Sequence, residues 1–69
     1  MNTLRISDCI RAYRREHRLS QAAFGTLLGV SPQAVSKWEL GMSCPDIALL
    51  PTLAKILGVS VGYLLGAET

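Results

Sequence analysis

Gln33 and Lys37 stand four residues apart, one helical turn if that stretch is helical. The glutamine amide offers a donor and an acceptor side by side, and the lysine ammonium offers three charged donors. Arg11, Arg15 and Arg18 recur at i, i+4 and i+7, with Asp8 one turn before them. Like charges at that spacing repel by a few tenths of a kcal/mol per pair. Such a stripe is either a solvated face or a seat for an anion such as phosphate. Five of the seven basic residues fall between Arg5 and Arg18, so the formal charge of +2 is unevenly spread. Groups for bond-making chemistry are missing. The single histidine, His17, lies among arginines; no carboxylates are paired at a useful spacing; and neither Cys9 nor Cys44 has a histidine partner in the expected fold. An enzyme is not expected. One histidine and two separated cysteines do not make a four-ligand zinc set, so no metal or cofactor is expected either.

The elements that must position these groups follow from the punctuation. A chain of 69 residues, 49% of them hydrophobic, makes one small core, and the expectation is a single domain over residues 1–69. The richest apolar stretch, Ile47 to Val61, is interrupted by Pro51, Lys55 and Gly58, too short a run for a membrane span of roughly 18 residues. The first five residues lack the apolar centre of a secretory signal, so a cytoplasmic protein with reduced cysteines is expected.

Helix one is predicted from about Leu4 to His17, capped by Asn2 or Thr3, with Ile6, Cys9, Ile10 and Tyr13 on one face. Helix two follows Ser20, with Phe24, Leu27 and Leu28 inward, and ends at Gly29. Ser31-Pro32 reads as a cap and a first-position proline, opening helix three to about Leu40 before Gly41. Asp46 caps a short turn at Ile47 to Leu50, and a regular helix runs from about Pro51 to Leu57, because a proline deeper in a helix would break it. Ser60 caps helix five, Val61 to Leu65, closed by Gly66. No segment alternates with period two, and the chain reads as all-α.

Residues 21–41 are the informative stretch. Two short helices across a tight glycine turn must cross steeply, which is the helix-turn-helix arrangement: the first helix braces, and the second enters the major groove of DNA. Phe24 inward, the small Gly25 where the helices touch, Gly29 at the turn, and Val35 and Trp38 inward all fit that geometry. With Val35 and Trp38 on the core side, Pro32, Gln33, Ser36 and Lys37 face outward near the start of helix three, where base edges are met. Gln33 can then pair with adenine N6 and N7, or simply be solvated; Lys37 can donate to guanine O6 and N7, or to a phosphate. Pro32 can touch a thymine methyl. Ser31 can both cap helix three and reach a phosphate.

Three segments, Leu19-Ser20-Gln21, Leu28 through Glu39, and Leu53 through Ser60, closely resemble the Cro/repressor-type (XRE-like) helix-turn-helix family, and the likeness extends from about Ile6 to Gly66. The resemblance implies a compact five-helix bundle of the lambda-repressor-like type. Such a domain binds double-stranded operator DNA, usually as a homodimer on a palindromic site. It also implies that Gln21 and Ser43 touch phosphates and that Arg14 and Glu39 form an ion pair tying helix one to the recognition helix. Gly25 stands where the family usually has alanine, Gly62 replaces an acid common in helix five, and Met42-Ser43 replaces a basic loop.

The function expected is that of a transcriptional regulator, specifically a repressor. The alternative is a protein-interaction module on the same fold, an antitoxin or anti-repressor. Apolar residues of the last helix, Val61, Tyr63 and Leu64, are candidates for a homodimer seam, for a foreign partner, or for the core. The 69 residues leave no room for a separate ligand-sensing domain, so control is expected from concentration, proteolysis or a partner.

Overall fold

A computed structural model of the chain describes residues 4–66. Five α-helices follow one another: α1 Leu4–His17, α2 Gln21–Leu28, α3 Pro32–Glu39, α4 Leu50–Leu57 and α5 Val61–Leu64, with a single 3-10 turn, Ile47–Leu49, before α4. The described residues contain no strand. Asn2 and Thr3, the expected caps of α1, lie outside them.

Each boundary has a local cause. Ser20, Ser31 and Ser60 sit in extended conformation, and each side-chain oxygen accepts from the backbone N–H three residues on. Those bonds satisfy donors that the first helical turn leaves without partners. Asp46 does the same for the 3-10 turn through Ala48. Pro51 falls in the first turn of α4, where its missing N–H interrupts nothing. Helices α3 and α5 each stop one residue before their expected ends, at Glu39 and Leu64.

All five helices supply the core: Ile6 and Ile10 from α1, Phe24 from α2, Val35 and Trp38 from α3, Leu50, Leu53 and Ala54 from α4, and Leu64 from α5. Cys9, Tyr13 and Leu28 pack against its edge. Leu27 departs from expectation, being 50% exposed. At about 100° per residue, Leu28 and Gly25 fall on one side of Phe24, while Leu27 falls on the other. The buried face of α2 is centred between the first three, so Leu27 is left at its rim. Arg5 clasps α5 from outside, with its guanidinium 4.6 Å from the Tyr63 ring centroid and a hydrogen bond to the Tyr63 carbonyl.

The α2–α3 turn is the tightest feature. Gly29 adopts φ 72°, and the Val30 N–H closes on the Gly25 carbonyl at 2.9 Å. A Cβ placed on Gly25 would stand 2.6 Å from the Val30 carbonyl oxygen, closer than van der Waals contact permits. Alanine would favour the helix by about 1 kcal/mol, but the obstacle is backbone held by the turn, and overpacking costs roughly 1–3 kcal/mol. The clash wins. Gly25→Ala is therefore expected to lower stability by about 1 kcal/mol net, read as a fall in urea midpoint at unchanged slope. A rise in midpoint would show that the turn yields.

Candidate nucleic-acid interface

Helix α3 is amphipathic over eight residues. Val35 and Trp38 are buried, with Trp38 part of the core, so its indole is not available to stack on a ligand. Pro32, Gln33 and Lys37 are exposed, and Ser36 and Ala34 are half-buried beside them. Ser31, exposed, spends its hydroxyl oxygen on the Ala34 N–H at 3.2 Å. The hydroxyl proton of Ser31 remains able to donate outward. Gln21 is half-buried at the first position of α2, and Ser43 is exposed in the loop after α3.

The far end of α3 is held by side chains from α1 and α2. Arg14 Nε donates to Glu39 Oε2 at 2.6 Å and its Nη2 to Glu39 Oε1 at 3.0 Å, a two-pronged ion pair. Gln21 Nε2 donates to the same Oε1 at 3.2 Å. Arg14 also reaches the Leu19 carbonyl at 2.8 Å, so one guanidinium joins α1, the α1–α2 turn and α3. The Glu39 side chain is 6% exposed and that of Arg14 22%. A buried carboxylate in that position needs every one of these donors. The Arg14 hydrogen bond holds the Glu39 carboxyl below its usual pKa, against the opposing effect of burial and with help from Gln21. The same bond raises the Arg14 guanidinium.

Two further clamps escaped the sequence reading. Ser7, almost wholly buried, donates its hydroxyl to the Trp38 carbonyl at 2.6 Å. Arg11 donates one nitrogen to the Glu39 carbonyl and another to Asp8 at 2.6 Å. Both target carbonyls belong to the last turn of α3, whose carbonyls lie past the helix's own i+4 donors; that of Trp38 is shared with the Gly41 N–H at 3.2 Å. Ser7 could have been suspected as the one polar residue between Ile6 and Ile10 on an apolar face. Arg11 could not: in sequence it belonged to the surface stripe, and its guanidinium turns back toward α3. Arg18 lies one residue past the end of α1 at His17, so it falls outside the helical period that the stripe assumed.

This arrangement, a braced helix presenting one polar edge beside a glycine turn, recurs in known proteins. The helix-turn-helix family model matches residues 10–64. The chain belongs to the helix-turn-helix family. Over 68 residues it is 42% identical to the repressor protein C2 of Salmonella phage P22, covering 99% of this chain and 32% of that protein. A crystal structure of the P22 c2 repressor with a synthetic operator superposes with a TM-score of 0.77 at 39% identity, over 90% of this chain and 94% of that one. The HTH-type transcriptional regulator YqaE of Bacillus subtilis is 33% identical over 91% of this chain and 54% of its own length. The chain thus spans about a third of the phage repressor and about half of the Bacillus regulator. Among the described residues no helix is long and apolar enough to cross a membrane, and no three His, Cys, Asp or Glu residues group as a metal site. Cys9 and Cys44 are free thiols.

The ion pair carries an asymmetry that can be measured. Arg14→Met strands a buried carboxylate with Gln21 as its remaining side-chain donor and is expected to cost about 3 kcal/mol; Glu39→Gln leaves Arg14 able to reach water and Leu19, and should cost less. Because the folded Glu39 pKa lies below that of an unfolded glutamate near 4.3, its stabilisation is complete above about pH 4.3 and is lost as the pH falls through the folded value. Thermal melts between pH 2 and 7 should show a shallower acid limb in Glu39→Gln than in wild type. Parallel acid limbs would remove Glu39 from the account.

Proposed function

We propose that residues 1–69 form one sequence-specific, double-stranded DNA-binding domain of a transcriptional repressor, acting in the cytoplasm and inserting α3 into the major groove. The observation that carries this reading is the state of α3: buried on one face, clamped at its far end, and exposed at Pro32, Gln33 and Lys37. A helix held on the protein side and bare on the other is shaped to be read against something. The likeness to an operator-bound phage repressor supports DNA as that partner.

Base readout falls to Pro32, Gln33, Ser36 and Lys37. Gln33 pairs with adenine, Lys37 donates to guanine, Pro32 offers apolar contact to a thymine methyl, and Ser36 serves as a short polar contact at the margin. Gln21, Ser31 and Ser43 bind phosphates and set the register of the domain on the duplex, without reading sequence. Gln21 plays two parts, since one of its amide protons is committed to Glu39 and the other is free for phosphate. Arg14 and Glu39 orient α3 and do not themselves read bases.

Homodimerisation through the C-terminal helix completes the proposal. Leu64 is fully buried and Val61 half-buried, so the exposed apolar surface there comes from Tyr63 and the adjoining Leu65. Two copies on a palindromic operator would meet half-sites about 34 Å apart, one turn of the duplex.

The double variant Gln33→Ala/Lys37→Ala should lose roughly 2–5 kcal/mol of preference for an operator selected from random duplexes, with the melting temperature unchanged. Wild-type binding to random duplex should fall with salt at a log–log slope near −0.9 per phosphate neutralised. Equal affinity for all sequences before and after substitution would overturn the readout assignment. Absence of any salt-dependent duplex binding would favour an antitoxin or anti-repressor module instead.

A further inference from the structure

Beside the clamp on α3 lies a depression of about 320 Å³ lined by Arg11, Arg14, Arg15, Arg18 and Leu19. Four of its five lining residues are cationic and none is acidic. Arg11 and Arg14 are partly neutralised by Asp8 and Glu39. Among the described residues Arg15 and Arg18 have no ion-pair or hydrogen-bonding partner for their side chains, and both are exposed. Uncompensated guanidiniums around one hollow repel one another in the free protein, and an anion bound there would relieve that repulsion.

The backbone supplies a second, independent sign. Arg18 has φ 56°, the one non-glycine residue in the left-handed region among the described residues. At the other four positive-φ positions the chain uses Gly29, Gly41, Gly58 and Gly66. Glycine is the unstrained choice for such a helix-ending turn, and arginine there is strained. The Arg18 side chain is exposed and makes no hydrogen bond or ion pair among the described residues that would account for an arginine at this turn. The Arg18 N–H bonds the Arg15 carbonyl, so the turn itself sets these two cations at one rim of the hollow.

The hollow also has a definite neighbour. Arg14 lines it and grips Glu39, which in turn holds Gln21 at the first residue of α2. We propose that the depression takes a backbone phosphate of the DNA strand that passes Gln21, outside the base pairs faced by α3, with Arg15 and Arg18 as its principal ligands. This rests on the DNA-binding reading above. A guanidinium suits the role because its planar donors match phosphate oxygens in pairs. The contact carries no sequence information by itself; it lengthens the footprint on each half-site and adds to the salt dependence of binding.

The test compares two duplexes carrying the selected operator, one ending at the outer edge of the half-sites and one extended by about four base pairs on each side, over a range of salt concentrations. For wild type, the extended duplex should bind more tightly and with a steeper slope. In Arg15→Ala/Arg18→Gly the benefit of extension should vanish, and the slope should fall by about 1–2 while operator preference persists. Arg18→Gly alone should raise the melting temperature and still weaken binding to the extended duplex, separating use from stability. Lys55→Ala, which removes an exposed cation on α4 outside the hollow, should leave the slope unchanged. Equal binding of both duplexes by wild type, or a double variant with an undiminished slope, would overturn the proposal while leaving the DNA-binding reading intact. So would a double variant that keeps its DNA footprint and instead loses binding to an acidic polypeptide such as polyglutamate. If wild type shows no salt-dependent duplex binding, the underlying reading fails and this one with it.

Discussion

The structure depends on a single buried carboxylate. Glu39 closes α3, and burial of its charge is tolerable because Arg14 and Gln21 surround it with donors. Through that one group, three helices acquire a fixed relation: α1 through Arg14, α2 through Gln21, and α3 through Glu39 itself. An apolar contact at the same place would bury area without specifying an angle. A two-pronged guanidinium–carboxylate pair specifies one, because both partners are planar and both oxygens must be served. Ser7 and Arg11 add to it by occupying carbonyls of the final turn of α3.

The opposite end of α3 is controlled by backbone rather than charge. Gly29 lets the chain reverse in a left-handed conformation, and Gly25 lets the Val30 carbonyl come close to α2. The next helix can then begin almost at once, with Ser31 as its cap and Pro32 in its first turn. The two ends of α3 are therefore fixed by different physics, one steric and one electrostatic. Between them, Val35 and Trp38 set the rotation about the helix axis by burial. A helix of eight residues has little stability of its own, and these three constraints replace it. What remains exposed, Pro32, Gln33 and Lys37, is presented in one orientation.

Much of this could be read directly from the chain. Helix positions after α1 followed from Ser20, Ser31, Asp46 and Ser60 as caps and from the glycines that follow α2, α3, α4 and α5, because capping and left-handed turns are local demands that a few residue types meet. The exposed edge at residues 32–37 followed from the 3.6-residue period once Val35 and Trp38 were assigned inward. Leu27 failed under the same reasoning: on so short a helix, hydrophobicity alone does not say which side of the stripe the neighbours cover.

Local chemistry, then, determined the elements, their ends and the polar edge of α3, since each is decided within about one turn of chain. The tertiary structure alone decided what the cations do. Arg11 and Arg15 stand one turn apart, read identically in sequence and line the same hollow, yet Arg11 turns back onto the Glu39 carbonyl and pairs with Asp8, while Arg15 stays exposed at the rim. The same is true of Ser7, which means nothing until Trp38 lies across it. The reason is reach: a long charged side chain pairs with whatever packing brings near, and residues 28 or 31 positions apart become neighbours only when the helices cross.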